Sequence, residues 1–167
     1  SMGDVFRYVP GALMNQGVHT VDLLLWLFGP VRRVSGTIAT RLHAIEVEDT
    51  AVAVLEFANG ALATIEATTA AYPGYPRRLE LTGSKGTAIL EGDALVAVDL
   101  LDGSGFSRSA ASERPTVENA ASPVVTDVSA HRAVIEDFIA AVRTGGRPRC
   151  DGAAGRPSVE VIEAVYR

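Results

Sequence analysis

Asn15, His19 and Asp22 stand in "ALMNQGVHTVDLLLWLFG", residues 12–29, and their spacings are four and three. That spacing gathers their side chains into one narrow sector of an α-helix, because the repeat is 3.6 residues. Imidazole titrates near neutrality, so a His with Asn one turn before it and Asp nearly one turn after could act as a positioned acid/base. His19 and Asp22 could also ligate a metal, but two ligands do not complete a site. Met14, Val18, Val21, Leu24, Leu25 and Phe28 occupy most of the remaining circumference. A helix apolar nearly all round is a buried helix, and buried polar groups must be paired. The stripe is therefore either a satisfied core network or the wall of a cavity, and spacing alone leaves both open.

Other groups carry less. "HAIEVED" offers His43, Glu46, Glu48 and Asp49. Strand alternation would point Glu46 and Glu48 to one face as a cation site, beside the plainer reading of a solvated strand end. "TGSKG" lacks the GxxxxGK[ST] spacing of a phosphate-binding P-loop and reads as a turn; GxGxxG and GxSxG are also missing. Cys150, after a proline and beside Asp151-Gly152, reads as an ordinary loop thiol.

The elements that must position these residues follow from periodicity. The first helix runs from about Gly11 to Phe28 and stops at Gly29-Pro30. "VRRVSGTIATRL" reads as an extended segment. Two strands, about Glu46 to Phe57 and Ala61 to Thr69, flank the hairpin dipeptide Asn59-Gly60. "RRLELTGSKGTAILEGDALVAVDLL" continues the meander, with turns at Gly83 to Gly86 and Glu91 to Asp93. Asp102 to Val125 reads as a long surface loop. Helix periodicity returns at "SAHRAVIEDFIAAVRTGG", where Ile135, Phe138, Ile139 and Val142 share a face. A last helix begins in "RPSVEVIEAVYR", with Ser158 as its N-cap. The expected class is α+β: an open, largely antiparallel β-sheet with three helices packed on one face. In "TAVAVLEF" and "ALATIEATT" both faces are largely small or apolar, so the other face is expected to form a homodimer.

With 167 residues the chain fits one domain with a sizeable core. Its net charge of −5 and lack of a basic patch argue against nucleic acid. No run approaches the ~20 apolar residues of a membrane span. One cysteine and no visible signal peptide suit a cytoplasmic protein. Ser1-Met2 reads as a cloning remnant, and residues 1–10 as a lead-in.

Three stretches in order carry a resemblance. "GALMNQGVHTVDLLLWLFGPV" resembles the opening helix of the C-terminal domain in the Gfo/Idh/MocA (glucose–fructose oxidoreductase/inositol dehydrogenase) family of NAD(P)-dependent oxidoreductases. "EDTAVAVLEFANGALATIEATTAAYPGYPRRLELTGSKGTAILEGD" is similar to that family's hairpin and meander, and "HRAVIEDFIAAVRTGGRPRCDGAAGRPSVEVIEAVYR" to its closing helices. The resemblance implies that residues 11–167 are a substrate-binding and dimerising domain for a sugar or polyol. NAD or NADP and a Glu-Lys-Pro lysine would belong to an N-terminal Rossmann domain absent from this chain, which is then expected to be inactive alone and to bind no cofactor. His19 matches the family's active-site histidine, which exchanges a proton with the substrate hydroxyl. Asn15 stands where the inositol dehydrogenase type has an aspartate, and an amide cannot relay a proton. Asp22 matches a support of the helix or pocket, and Tyr72, with Pro73 and Gly74, is a candidate sugar contact. On the resemblance, the stripe is a pocket wall. The rival readings are a non-enzymatic binding or dimerisation module of the same fold and a small metal-dependent enzyme or hydrolase built on His19, Asp22 and Glu46.

Overall fold

The computed structural model describes residues 10–107 and 128–167. Its elements fall into two compact units, Ser1–Ala71 with Thr126–Arg167, and Tyr72–Val125. In the first unit a π-helical turn, Leu13–Gly17, leads straight into helix α1, Val18–Phe28. Strands β1 (Val31–Ala39), β2 (Thr50–Phe57) and β3 (Leu62–Thr68) follow, and helices α2 (Ser129–Thr144) and α3 (Gly152–Tyr166) complete it. The second unit holds β4 (Arg78–Gly83), β5 (Gly86–Glu91), β6 (Ala94–Leu100) and β7 (Gly105–Ser107).

Both sheets are antiparallel and follow chain order, β1-β2-β3 and β4-β5-β6-β7. The expected α+β class holds, but the strands divide between two sheets where one continuous meander was expected. The break falls between Thr68 and Arg78, where Pro73 and Pro76 stand. Proline has no N–H to donate to a ladder, so the pairing ends there. The glycine turns behave as expected: Ser84-Lys85 and Gly92-Asp93 join their strands, with Gly92 at φ 59°.

Strand β2 shows how the first unit closes. Ala51, Ala53, Leu55 and Phe57 are buried, while Val52 and Val54 between them are exposed. The period of two sends alternate residues to opposite faces. Register carries the inner face across the sheet: Val34 and Gly36 of β1 lie opposite Leu55 and Ala53, and Ile65 of β3 lies opposite Ala53. Leu13, Val21 and Leu24 from the first helix and Val161, Ile162 and Val165 from α3 are buried with this face. The alanines keep the layer shallow so that α3 can approach. At Gly36 a side chain would come within 2.9 Å of Val165 Cγ1. Phe28 and Phe57 close one end, their ring centroids 5.3 Å apart.

Four local expectations are corrected. Strand β2 starts at Thr50, so Glu46 to Asp49 are loop and not strand. Ser158 is not an N-cap: α3 begins about two turns earlier, where the Asp151 side chain accepts from the Ala154 N–H at 2.9 Å. The long loop expected from Asp102 is shorter, because β7 pairs with β6; the remainder, 108–125, lies outside the described residues. Helix α2 forms with Gly145 in the left-handed conformation at its end, yet Ile135, Phe138, Ile139 and Val142 are exposed. Two helices, not three, bury apolar faces with the sheet.

Candidate functional site

The first helix lacks a local cap. Gly11 and Ala12 offer no side-chain oxygen, and the first N–H groups of any helix have no intrahelical acceptor. Glu48, far along the chain, supplies both acceptors: its carbonyl receives the Ala12 N–H at 3.0 Å and its Oε1 the Leu13 N–H at 2.9 Å. The same Oε1 accepts the Tyr166 hydroxyl of α3 at 2.8 Å. Burial, then the hydrogen bond to Glu48 and its charge, push the Tyr166 phenol up to about 12, so it remains a donor at neutral pH.

Asp49 serves a different segment. Its fully buried carboxylate accepts the N–H groups of Arg41, Leu42 and His43 at 2.7–3.0 Å, and the Thr50 hydroxyl at 3.0 Å. The amides of His43 and Leu42 do most to hold it well below the ordinary carboxylate range, against the opposing effect of burial. His43 Nε2 lies 3.2 Å from the Thr69 carbonyl; a carbonyl only accepts, so this nitrogen carries a proton and donates it. Glu46 is exposed. Glu48 and Asp49 are thus anchors of backbone, and no group of three or more His, Cys, Asp or Glu suited to a metal occurs among the described residues.

The buried stripe of the first helix is Leu13, Gly17, Val21 and Leu24. The helix is not buried all round, as its composition suggested: Trp26 is 79% exposed. Asn15, His19 and Asp22 lie on the exposed side, so they are not a sealed core network. Bonding from i to i+5 makes the π turn slightly wider than an α turn, and four residues from Asn15 to His19 still close nearly one full turn. Asp22 is held by α3, whose buried Ser158 donates to its Oδ1 at 2.8 Å. The side chains of Asn15 and His19 have no hydrogen-bond partner among the described residues. Tyr72, 97% exposed, belongs to the other unit.

Sequence reasoning placed Asn15, His19 and Asp22 on one helix, where all three are exposed, and missed Glu48, Tyr166 and the role of Ser158. Long-range partners leave no periodic trace. The one readable signal was a helix opening on Gly-Ala, which must find its cap elsewhere in the chain.

The chemistry on this face is that of an open imidazole beside an open carboxamide, on a helix held from behind. The amide can donate and accept hydrogen bonds to a hydroxylated ligand, and the imidazole can take or give a proton.

Residues 7–89 match the family model of the GFO/IDH/MocA C-terminal domain. The chain is similar to D-apiose dehydrogenase of Paraburkholderia graminis, 26% identical over 98% of this chain and 46% of that protein. It is similar to inositol 2-dehydrogenase of Rhizobium meliloti, 26% identical over 98% of this chain and 49% of that one. Among solved structures it is similar to the WlbA dehydrogenase of Bordetella pertussis in complex with NADH and UDP-GlcNAcA. There the TM-score is 0.72 at 30% identity, covering 95% of this chain and 42% of that one. The chain spans about half the length of the curated relatives it matches.

Proposed function

The chain belongs to the GFO/IDH/MocA C-terminal domain family, and we propose that it is the substrate-binding, dimer-forming half of an NAD(P)-dependent sugar or polyol dehydrogenase. The observation that carries this reading is the pair of open polar side chains, Asn15 and His19, on a helix whose start and flank are both tied down. His19 takes or returns the proton of a substrate hydroxyl as the hydride leaves or reaches its carbon. Asn15 holds a neighbouring hydroxyl. Asp22 supports the helix through Ser158 rather than touching substrate. Relatives named for apiose and inositol, and one solved with a nucleotide sugar, support a polyhydroxylated substrate.

A pyrophosphate needs open amides at a helix N-terminus. Carboxylates take amides at two helix starts here: Glu48 takes the Leu13 N–H and Asp151 the Ala154 N–H. On this reading the cofactor belongs to a Rossmann domain, and this chain alone neither binds it nor turns over.

Calorimetric titration tests the division of labour. We expect no saturable heat with NADH, and saturable NADH binding by this chain would overturn the reading. With the chain joined to a dinucleotide-binding half, His19→Ala should lower kcat by about 10²–10⁴-fold while substrate still binds. Unchanged polyol affinity and dimer stability in the isolated His19→Ala chain, together with unchanged turnover in the joined protein, would favour a binding module instead.

A further inference from the structure

We propose that Glu48 and Tyr166 are positioning residues for the site: together they set the start, and hence the rotational phase, of the helix that presents Asn15 and His19. The inference rests on the reading of His19 and Asn15 as the substrate-facing pair.

The helix cannot set its own start, since Gly11 and Ala12 cannot cap it, and the acceptors for its Ala12 and Leu13 N–H groups both come from Glu48. The Glu48 carboxylate also occupies the space where a side chain at Gly11 would lie, so any Cβ there displaces it. Tyr166 holds that carboxylate from behind, 2.8 Å from Oε1. Further along the same helix Ser158 holds Asp22, also at 2.8 Å. Eight residues of α3 separate Ser158 from Tyr166, a rise of about 12 Å, and α3 thus grips the candidate helix at two points.

Between those points lies the π turn, Leu13–Gly17, with Asn15 at its centre. A π turn behaves as one residue inserted into an α-helix, and such turns occur mostly singly and often at functional sites. Its loss would turn the residues before it by one residue's step, on the order of 100°, relative to those after it. Asn15, inside the turn, would change its direction relative to His19 by part of that step. Holding the helix at its start and at Asp22 fixes the rotation between those two points, and so preserves the π turn.

Nitrogen-15 NMR on this chain, without ligand or cofactor, tests the clamp. The readouts are amide exchange at residues 12–19, the Asn15 carboxamide signals and the His19 ring signals, with β2 amides as the control for global stability. Tyr166→Phe and Glu48→Ala should speed exchange at Leu13 to Gly17 at least tenfold and move the Asn15 and His19 signals, with β2 unchanged. Glu48→Gln, which keeps an acceptor oxygen, should restore these signals toward the parent. Unchanged exchange and unchanged His19 and Asn15 signals in Tyr166→Phe would overturn the proposal. So would faster exchange spread equally through β2. Should Glu48→Ala not fold, Tyr166→Phe and Glu48→Gln carry the comparison. Failure here leaves the proton-transfer role of His19 untouched, because that role is read from turnover.

Discussion

Glu48 and Asp49 are neighbours in the chain and anchor two different segments, one the candidate helix and the other the loop after β1. Asp49 is one of the carboxylates that tie stability to pH. Its carboxyl lies below the ordinary value of 3.8 because three amides and a hydroxyl favour the charged form. A depressed group contributes stability above its unfolded value, and that contribution drains away as pH falls through the folded one. Thermal melts from pH 7 down to 2 should show a falling limb below about pH 4, and Asp49→Asn should lower the plateau and flatten the limb. Ser158→Ala removes a hydrogen bond to an acid that water can still reach, so urea denaturation should register a loss of about 0.5–1.5 kcal/mol. At this scale residue type was legible and partner was not. Ser158 looks like a cap by its place before an apolar period, yet a better acceptor, Asp151, stands seven residues earlier.

Strand β2 shows what an alternating pattern encodes. Leu55 and Val52 are both apolar, but one faces the helices and the other solvent. Leu55→Ala should cost about 2–5 kcal/mol in chemical denaturation, while Val52→Ala should cost no more than about 1 kcal/mol. The helices, the hairpin about Asn59-Gly60 and the turns of the second sheet were all legible, because local propensity and period decide them. The π turn was not, since nothing in "LMNQG" departs from an α pattern; the contacts that hold its flanks, Glu48 at Leu13 and Ser158 at Asp22, come from distant segments. Helix α2 marks a different limit. Its period correctly gives a helix and an apolar face, but period says nothing of what that face meets.

Across the molecule, the outer face of the first sheet is the surface proposed for pairing with a second copy. It mixes Val52, Val54 and Leu62 with Thr64, Glu66 and the Arg33–Glu56 pair, rather than being apolar throughout. Val54→Arg should leave the unfolding free energy of the single chain within about 1 kcal/mol and convert a sedimenting dimer to monomer. An unchanged sedimentation coefficient would remove this face from consideration.

Cys150 and Lys85 are the chain's one cysteine and one lysine. Cys150 is exposed in the first unit, and Lys85 sits in the β4–β5 turn of the second. Thiol and amine reagents are orthogonal, so with the terminal amine blocked each unit takes one dye at a known residue, without mutation. Energy transfer between the two dyes then turns the native sequence into its own ruler, and adding a polyol asks whether the units move when substrate arrives.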